Sequence, residues 1–154
     1  MSPYNEGMSL LSASDREQLR TMLSSLEHDV HLLFFSRTVG CELCPDTRRI
    51  LQELTDASPR LTFEELNLVL DKDKAALYGI DEAPGIAVVG RGEDGASWDP
   101  GLRFIGAPTG YEFMSLIEAI RLVASRDSGL SEESRALVAT VTEPMRIQVF
   151  VTPT

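Results

Sequence analysis

Val30-His31-Leu32-Leu33-Phe34-Phe35-Ser36-Arg37-Thr38-Val39-Gly40-Cys41-Glu42-Leu43-Cys44-Pro45 is the stretch on which the fold turns. Val30 to Phe35 is a short, nearly continuous apolar run, as expected of a strand buried on both faces. It leads through Arg37-Thr38-Val39-Gly40 into two cysteines three positions apart. Pro45 suits a first helical turn, and Ile50, Leu51 and Leu54 give the predicted helix its buried stripe before Ser58-Pro59 closes it. A C-x-x-C between a buried strand and a helix N-terminus has a mechanical purpose. The first sulfur sits where unpaired N–H groups and the positive helix end stabilise a thiolate, and the second lies within disulfide-forming distance. Cys41 is therefore the candidate nucleophile. Cys44 is the candidate resolving thiol, which attacks a mixed disulfide and releases the reduced partner. Two plainer readings compete: the cysteines are buried and inert, or they form half of a zinc site completed by His28 and His31.

Upstream, Ser14 with Glu17 reads as a capping box for a helix over residues 14 to 26, with Leu19, Met22, Leu23 and Leu26 apolar. Downstream, Leu61 to Leu68 reads as a second strand, Asp71 to Tyr78 as a short helix stopped by Gly79, and Ile86 to Val89 as a third strand. Leu102 to Ile105 is the predicted fourth strand. Thr109 with Glu112 is expected to cap a helix carrying Phe113, Leu116, Ile117 and Ile120. The order is αβαβαββα, an α/β fold. Gly90-Arg91-Gly92-Glu93-Asp94-Gly95 satisfies G-x-G-x-x-G, but Ala96-Ser97-Trp98-Asp99-Pro100-Gly101 cannot open a helix, so no pyrophosphate site follows. It reads as a hairpin loop in which the three glycines supply positive φ.

Residues 128–154 read as one more helix and strand, and they repeat the opening of the chain. Glu17 falls on Glu132, Arg20 on Arg135, Leu23 on Val138, Leu26 on Val141, Leu32 on Ile147 and Phe35 on Phe150. If the repeat is real, the counterpart of Cys41 lies just past Thr154, and the chain stops before a second active site.

The 154 residues, 43% apolar and 25% charged, suit one globular domain. A net charge of −10 argues against nucleic acid or an anionic membrane surface as partner. The apolar runs fall far short of the roughly 20 residues a spanning helix needs. No secretory signal is visible in Met1-Ser2-Pro3-Tyr4-Asn5-Glu6, and a cytoplasmic setting is expected.

The sequence resembles the thioredoxin and glutaredoxin superfamily, through strand, C-x-x-C, helix, strand, helix, and then Ala83-Pro84-Gly85 opening a strand. More narrowly it is similar to the glutaredoxin-like protein disulfide oxidoreductases, whose chains hold two thioredoxin-fold units in tandem. Leu33-Phe34-Phe35 running to Cys44, Phe104-Ile105-Gly106-Ala107-Pro108-Thr109-Gly110-Tyr111-Glu112-Phe113, and Ile147 to Thr154 carry the match. The resemblance implies a thioredoxin-like fold, a central mixed sheet flanked by helices, with an extra C-terminal helix and strand. Residues 1–127 are then one complete unit, and residues 128–154 open a second, truncated one. It implies that Pro84 is a cis-proline facing the disulfide and that Ala83 and Pro84 shape a groove for substrate backbone. It also implies electrons from a flavin-dependent reductase, and makes Glu64 a candidate for a partly buried acid near the disulfide. No bound cofactor or metal is required.

Glu42, Asp46, Asp81 and Glu82 surround the cysteines with negative charge, and Arg37, Arg48 and Arg49 with positive charge. Acidic neighbours disfavour a thiolate and cations favour it, and the balance predicts a reductant-like pair modulated by Glu42, Glu64 and Arg37. The function expected is thiol–disulfide exchange on protein substrates. The alternatives are a glutathione-dependent glutaredoxin, or a thioredoxin-like binding module with little turnover. The C-terminal strand, left with unpaired edges, is expected to pair with its copy in a homodimer.

Overall fold

In a computed structural model of the protein, residues 11–152 are described; the N-terminal hexapeptide, and Pro153 and Thr154 of the last matching stretch, lie outside them. The elements run α1 (Ala13–Leu23), β1 (Val30–Ser36), α2 (Cys44–Ala57), β2 (Leu61–Asn67), α3 (Lys72–Tyr78), β3 (Gly85–Arg91), β4 (Ser97–Ile105), α4 (Tyr111–Ser125) and α5 (Glu132–Val138). The strands form one sheet in the order β2-β1-β3-β4, with β1 parallel to β2 and the other pairs antiparallel. No helix among the described residues is long and apolar enough to cross a membrane.

All seven residues of β1 are buried. Side chains alternate across a strand, so Val30, Leu32 and Phe34 enter a core shared with Leu23 of α1, Leu51 and Leu54 of α2, and Ile117 and Ile120 of α4. Leu33 and Phe35 enter a smaller core on the other face, with Leu66, Ala75, Ile80 and Val89. The apolar run of β1 is nearly continuous because helices cover both sides of the sheet.

The helix starts differ from expectation. The box that opens α1 is Ser12 with Asp15: the Ser12 hydroxyl accepts from the Asp15 N–H, and the Asp15 carboxylate accepts from the Ser12 N–H, each at 3.1 Å. Ser14 lies inside the first turn. α4 is entered through Gly110, at φ 59°, without a side-chain cap, so Thr109 and Glu112 form no box.

β4 begins at Ser97, ahead of the predicted Leu102. Pro100 lies within it because β4 is an edge strand and needs no N–H on its outer side. The glycine-rich segment is the β3–β4 hairpin loop, closed by the Gly92 N–H donating to the Ala96 carbonyl at 2.7 Å. Of its three glycines only Gly95 has positive φ, 79°. Gly90 serves another purpose: a Cβ there would collide with the Trp98 indole.

His31, on β1, is 8% exposed. Its Nδ1 shares a hydrogen bond with the Thr62 hydroxyl at 2.8 Å, and its Nε2 lies 3.7 Å from Glu64, too far to bond. Burial first, then the Arg91 and Lys74 charges, holds the imidazole below the usual histidine range, against the pull of Glu64. The unfolded chain therefore binds a proton that the folded chain refuses as pH falls below about 6.5. Stability should drop on acidification through that window, before the Glu64, Glu65 and Asp99 carboxylates, all held below their usual range, begin to titrate. Urea midpoints at about pH 7.5 and about pH 5.5 test this: wild type should lose stability between them and His31→Asn should lose less. Equal losses would contradict the assignment.

The C-terminal segment forms α5, capped by Ser131, but none of its residues is buried. The strand expected at Ile147, Val149 and Val151 is absent: residues 144–152 pair with no strand, and Ile147, Val149 and Phe150 are at least 80% exposed. A strand takes its hydrogen bonds from a neighbour, and residues 144–152 are paired with neither open edge of the sheet.

Candidate active site

α2 opens at Cys44 with Leu43 as its N-cap residue, which has no side-chain acceptor to offer. The turn is held from the backbone and from Thr47, whose N–H and hydroxyl both donate to the Leu43 carbonyl, at 3.0 and 2.8 Å. Cys41 and Cys44 are disulfide-bonded, their Cα atoms 5.4 Å apart. Cys44 is 2% exposed and belongs to the larger core, whereas Cys41 is half-buried at that core's margin.

The Ala83–Pro84 peptide bond is cis. Pro84 is buried, and its carbonyl accepts from the Gly106 N–H at 2.8 Å, tying the loop to the end of β4. Gly85 is required here because a Cβ would come within 2.8 Å of the Glu82 carbonyl. Ala83 borders the same core as Cys41. Arg37, from the loop before Cys41, donates to the Asp81 carbonyl at 3.5 Å, so the cysteine loop and the loop before Pro84 meet.

Glu64 does not sit with the disulfide. It pairs with Leu33 across β1 and so lies on the α3 side of the sheet, bonded to Lys74 at 3.0 Å. The acid on the cysteine side is Glu65, its neighbour, in register with Phe34. Arg48 donates to both Glu65 oxygens at 2.6 Å, and the Ser36 hydroxyl donates to Glu65 Oε1, also at 2.6 Å. Arg48 keeps the Glu65 carboxyl below the usual carboxylate range. Ser36, Arg37, Arg48 and Glu65 line a cleft of ≈ 530 Å³ with both cysteines. Strand parity was the available signal, since Leu61, Phe63 and Glu65 share a face. Glu42 is exposed, and Arg49 pairs with Asp46. The histidines of the rival zinc reading engage other partners: His28 bonds to the Ala124 carbonyl, and His31 to Thr62.

No family model matches the chain. Over 117 residues, 76% of its length, it is 30% identical to the F subunit of alkyl hydroperoxide reductase from Staphylococcus aureus. It spans only 19% of that relative. Among solved structures it superposes on a protein disulfide oxidoreductase from Aeropyrum pernix with a TM-score of 0.72 and 25% identity, covering 84% of this chain and 54% of the other. The chain has a thioredoxin-like fold and is similar to one part of a protein disulfide oxidoreductase. The thioredoxin-like unit also matches the NTD_N/C domain of alkylhydroperoxide reductase from Enterococcus faecalis, with a TM-score of 0.70 and 26% identity over 82% of this chain and 58% of that one. Such a fold with a close cysteine pair at a helix N-terminus is equipped for thiol–disulfide exchange.

Proposed function

We propose that this domain reduces protein disulfides through Cys41 and Cys44. The observation that carries the reading is the asymmetry of the pair: a half-buried Cys41 ahead of α2 and a buried Cys44 inside its first turn. In the reduced protein the Cys41 thiolate attacks one sulfur of a substrate disulfide and expels the other as a thiolate. Cys44, losing its proton, then attacks the Cys41 sulfur, freeing the second substrate thiol and re-forming the internal disulfide. The substrate gains two electrons and two protons. Ala83 and Pro84 form one wall of the substrate groove, a role supported by the contact between their loop and the one before Cys41.

A flavin-dependent reductase in the cytoplasm returns the electrons, and the relatives' name supports a place in peroxide-linked electron transfer. Insulin reduction at steady state tests the reading. Turnover with a protein disulfide, and little with glutathione mixed disulfides, is expected. Stoichiometric reaction without turnover would favour a binding module, and a preference for glutathione a glutaredoxin.

Residues 1–127 act as the complete unit, and residues 128–154 open a second one whose apolar C-terminal stretch, in no strand within one copy, becomes a strand by pairing between copies. Support comes from the exposure of Leu137, Ile147, Val149 and Phe150. A chain ending at Asp127 should fold and keep its thiol chemistry while losing self-association, as read by light scattering. A full chain that stays monomeric at high concentration, or a shortened one that is unfolded, would refute this assignment.

A further inference from the structure

Ser36, Glu65 and Arg48 come from three different elements that line the cleft with the cysteines. Ser36 ends β1, just before the loop to Cys41; Arg48 lies one helical turn beyond Cys44; Glu65 is on β2. They form one connected group, and all three face the cleft that contains the disulfide. The Arg48–Glu65 contact is two-pointed, the geometry that fixes a guanidinium most firmly. A cation near a cysteine favours the thiolate, and a cation neutralised by a carboxylate does so far less.

Resting on the exchange chemistry proposed above, we propose that Glu65 sets the reduction potential of the Cys41–Cys44 couple by engaging Arg48 and withholding its charge from the Cys41 sulfur. Glu65 is then a positioning residue, since it acts through Arg48. With the pair intact, the reduced form gains little from the nearby guanidinium, and the couple stays reducing. Removing the carboxylate releases Arg48 to stabilise the thiolate. Removing Arg48 leaves the Glu65 carboxylate in the cleft without its cation, which destabilises the thiolate. The two halves of one ion pair therefore have opposite effects.

The test equilibrates the full chain with dithiothreitol, which gives two electrons and two protons to the Cys41–Cys44 bond and closes its own disulfide. Glu65→Gln should shift the equilibrium toward the dithiol about tenfold, near +30 mV, and Arg48→Gln about tenfold the other way. The double variant should return close to wild type. Both shifts should shrink at about 0.5 M salt, because the pair is partly exposed. Shifts of the same sign, as a purely structural role would give, or no shift beyond about twofold, overturn the proposal. If Glu65→Gln does not fold, Arg48→Gln and Arg48→Ala, at a half-exposed helical position, still read the sign: a lowered potential supports the proposal, and a raised or unmoved one overturns it. A wild-type disulfide that fails to exchange with dithiothreitol would instead sink the exchange reading itself.

Discussion

Replacing Cys41 by serine is expected to stop disulfide exchange altogether, whereas Cys44→Ser should still attack and then stall as a trapped mixed disulfide. The difference follows from placement. Cys41 is half-buried at the mouth of the cleft, and Cys44 is 2% exposed within the core formed by β1, α2 and α4. An electrophile reaches Cys44 only when the first turn of α2 opens, and an opening cost of about 3 kcal/mol slows it roughly a hundredfold. Alkylation of the reduced protein with iodoacetamide, resolved by peptide mass, should therefore label Cys41 about a hundred times faster than Cys44. Equal rates, or a Cys41→Ser protein that still turns over insulin, would contradict the assignment.

The largest effect on stability is expected at Phe34. Its side chain is fully buried, and its strand position pairs with Ile86 on one side and Glu65 on the other. Phe34→Ala removes a ring from the centre of the core and should cost about 3–5 kcal/mol. Against a typical total of about 5–15 kcal/mol, that leaves a marginal protein. The melting temperature should fall by roughly 10 °C, and the protection of Cys44 should fall with it, because Cys44 is shielded by the same core. Urea unfolding and alkylation of the two thiols test the two consequences together. A loss below about 1 kcal/mol would mean that the neighbouring side chains close over the gap.

The residues that made the site legible in the sequence are those whose surroundings are set locally or by burial on two faces. Val30 to Phe35 reads as a strand because a run so short and so nearly apolar, closed by the Gly40 turn, suits a strand covered on both faces and is too short for a helix. Cys41 to Pro45 reads as a helix entry for reasons confined to one turn. Parity separates Glu65 from Glu64 and puts it with Leu61 and Phe63, but which of the two faces holds the cysteines is decided only when β2 is registered against β1. The caps were misplaced by one or two residues for a related reason. Ser12 and Ser14 each have an acid three positions on, and Thr109 competes with Gly110, so backbone conformation decides between near-equal choices. Pro100 hid the first half of β4, because a proline is excluded from a central strand but not from an edge. At the C-terminus the apolar alternation has the strand-forming pattern, yet a strand is completed only by a neighbour.

Asn67 bears on what a docked partner can detect. Its side-chain amide donates to the Thr38 hydroxyl at 3.0 Å, and its carbonyl oxygen accepts from the Val69 and Leu70 N–H groups. The segment between β1 and α2 is thus pinned near its start by Thr38, while Cys44 is anchored in the core at its end. Opening the disulfide frees only the few residues between. The outline offered to a docked protein is then expected to change little between the oxidised and reduced forms, with the information about redox state confined to one short loop. In the exchange chemistry proposed above, an electron donor and an electron acceptor would compete for the same footprint, and each would have to let go on the strength of that small difference. Under that proposal fast dissociation of both is expected, with successive partners exchanging at the site rather than assembling around it.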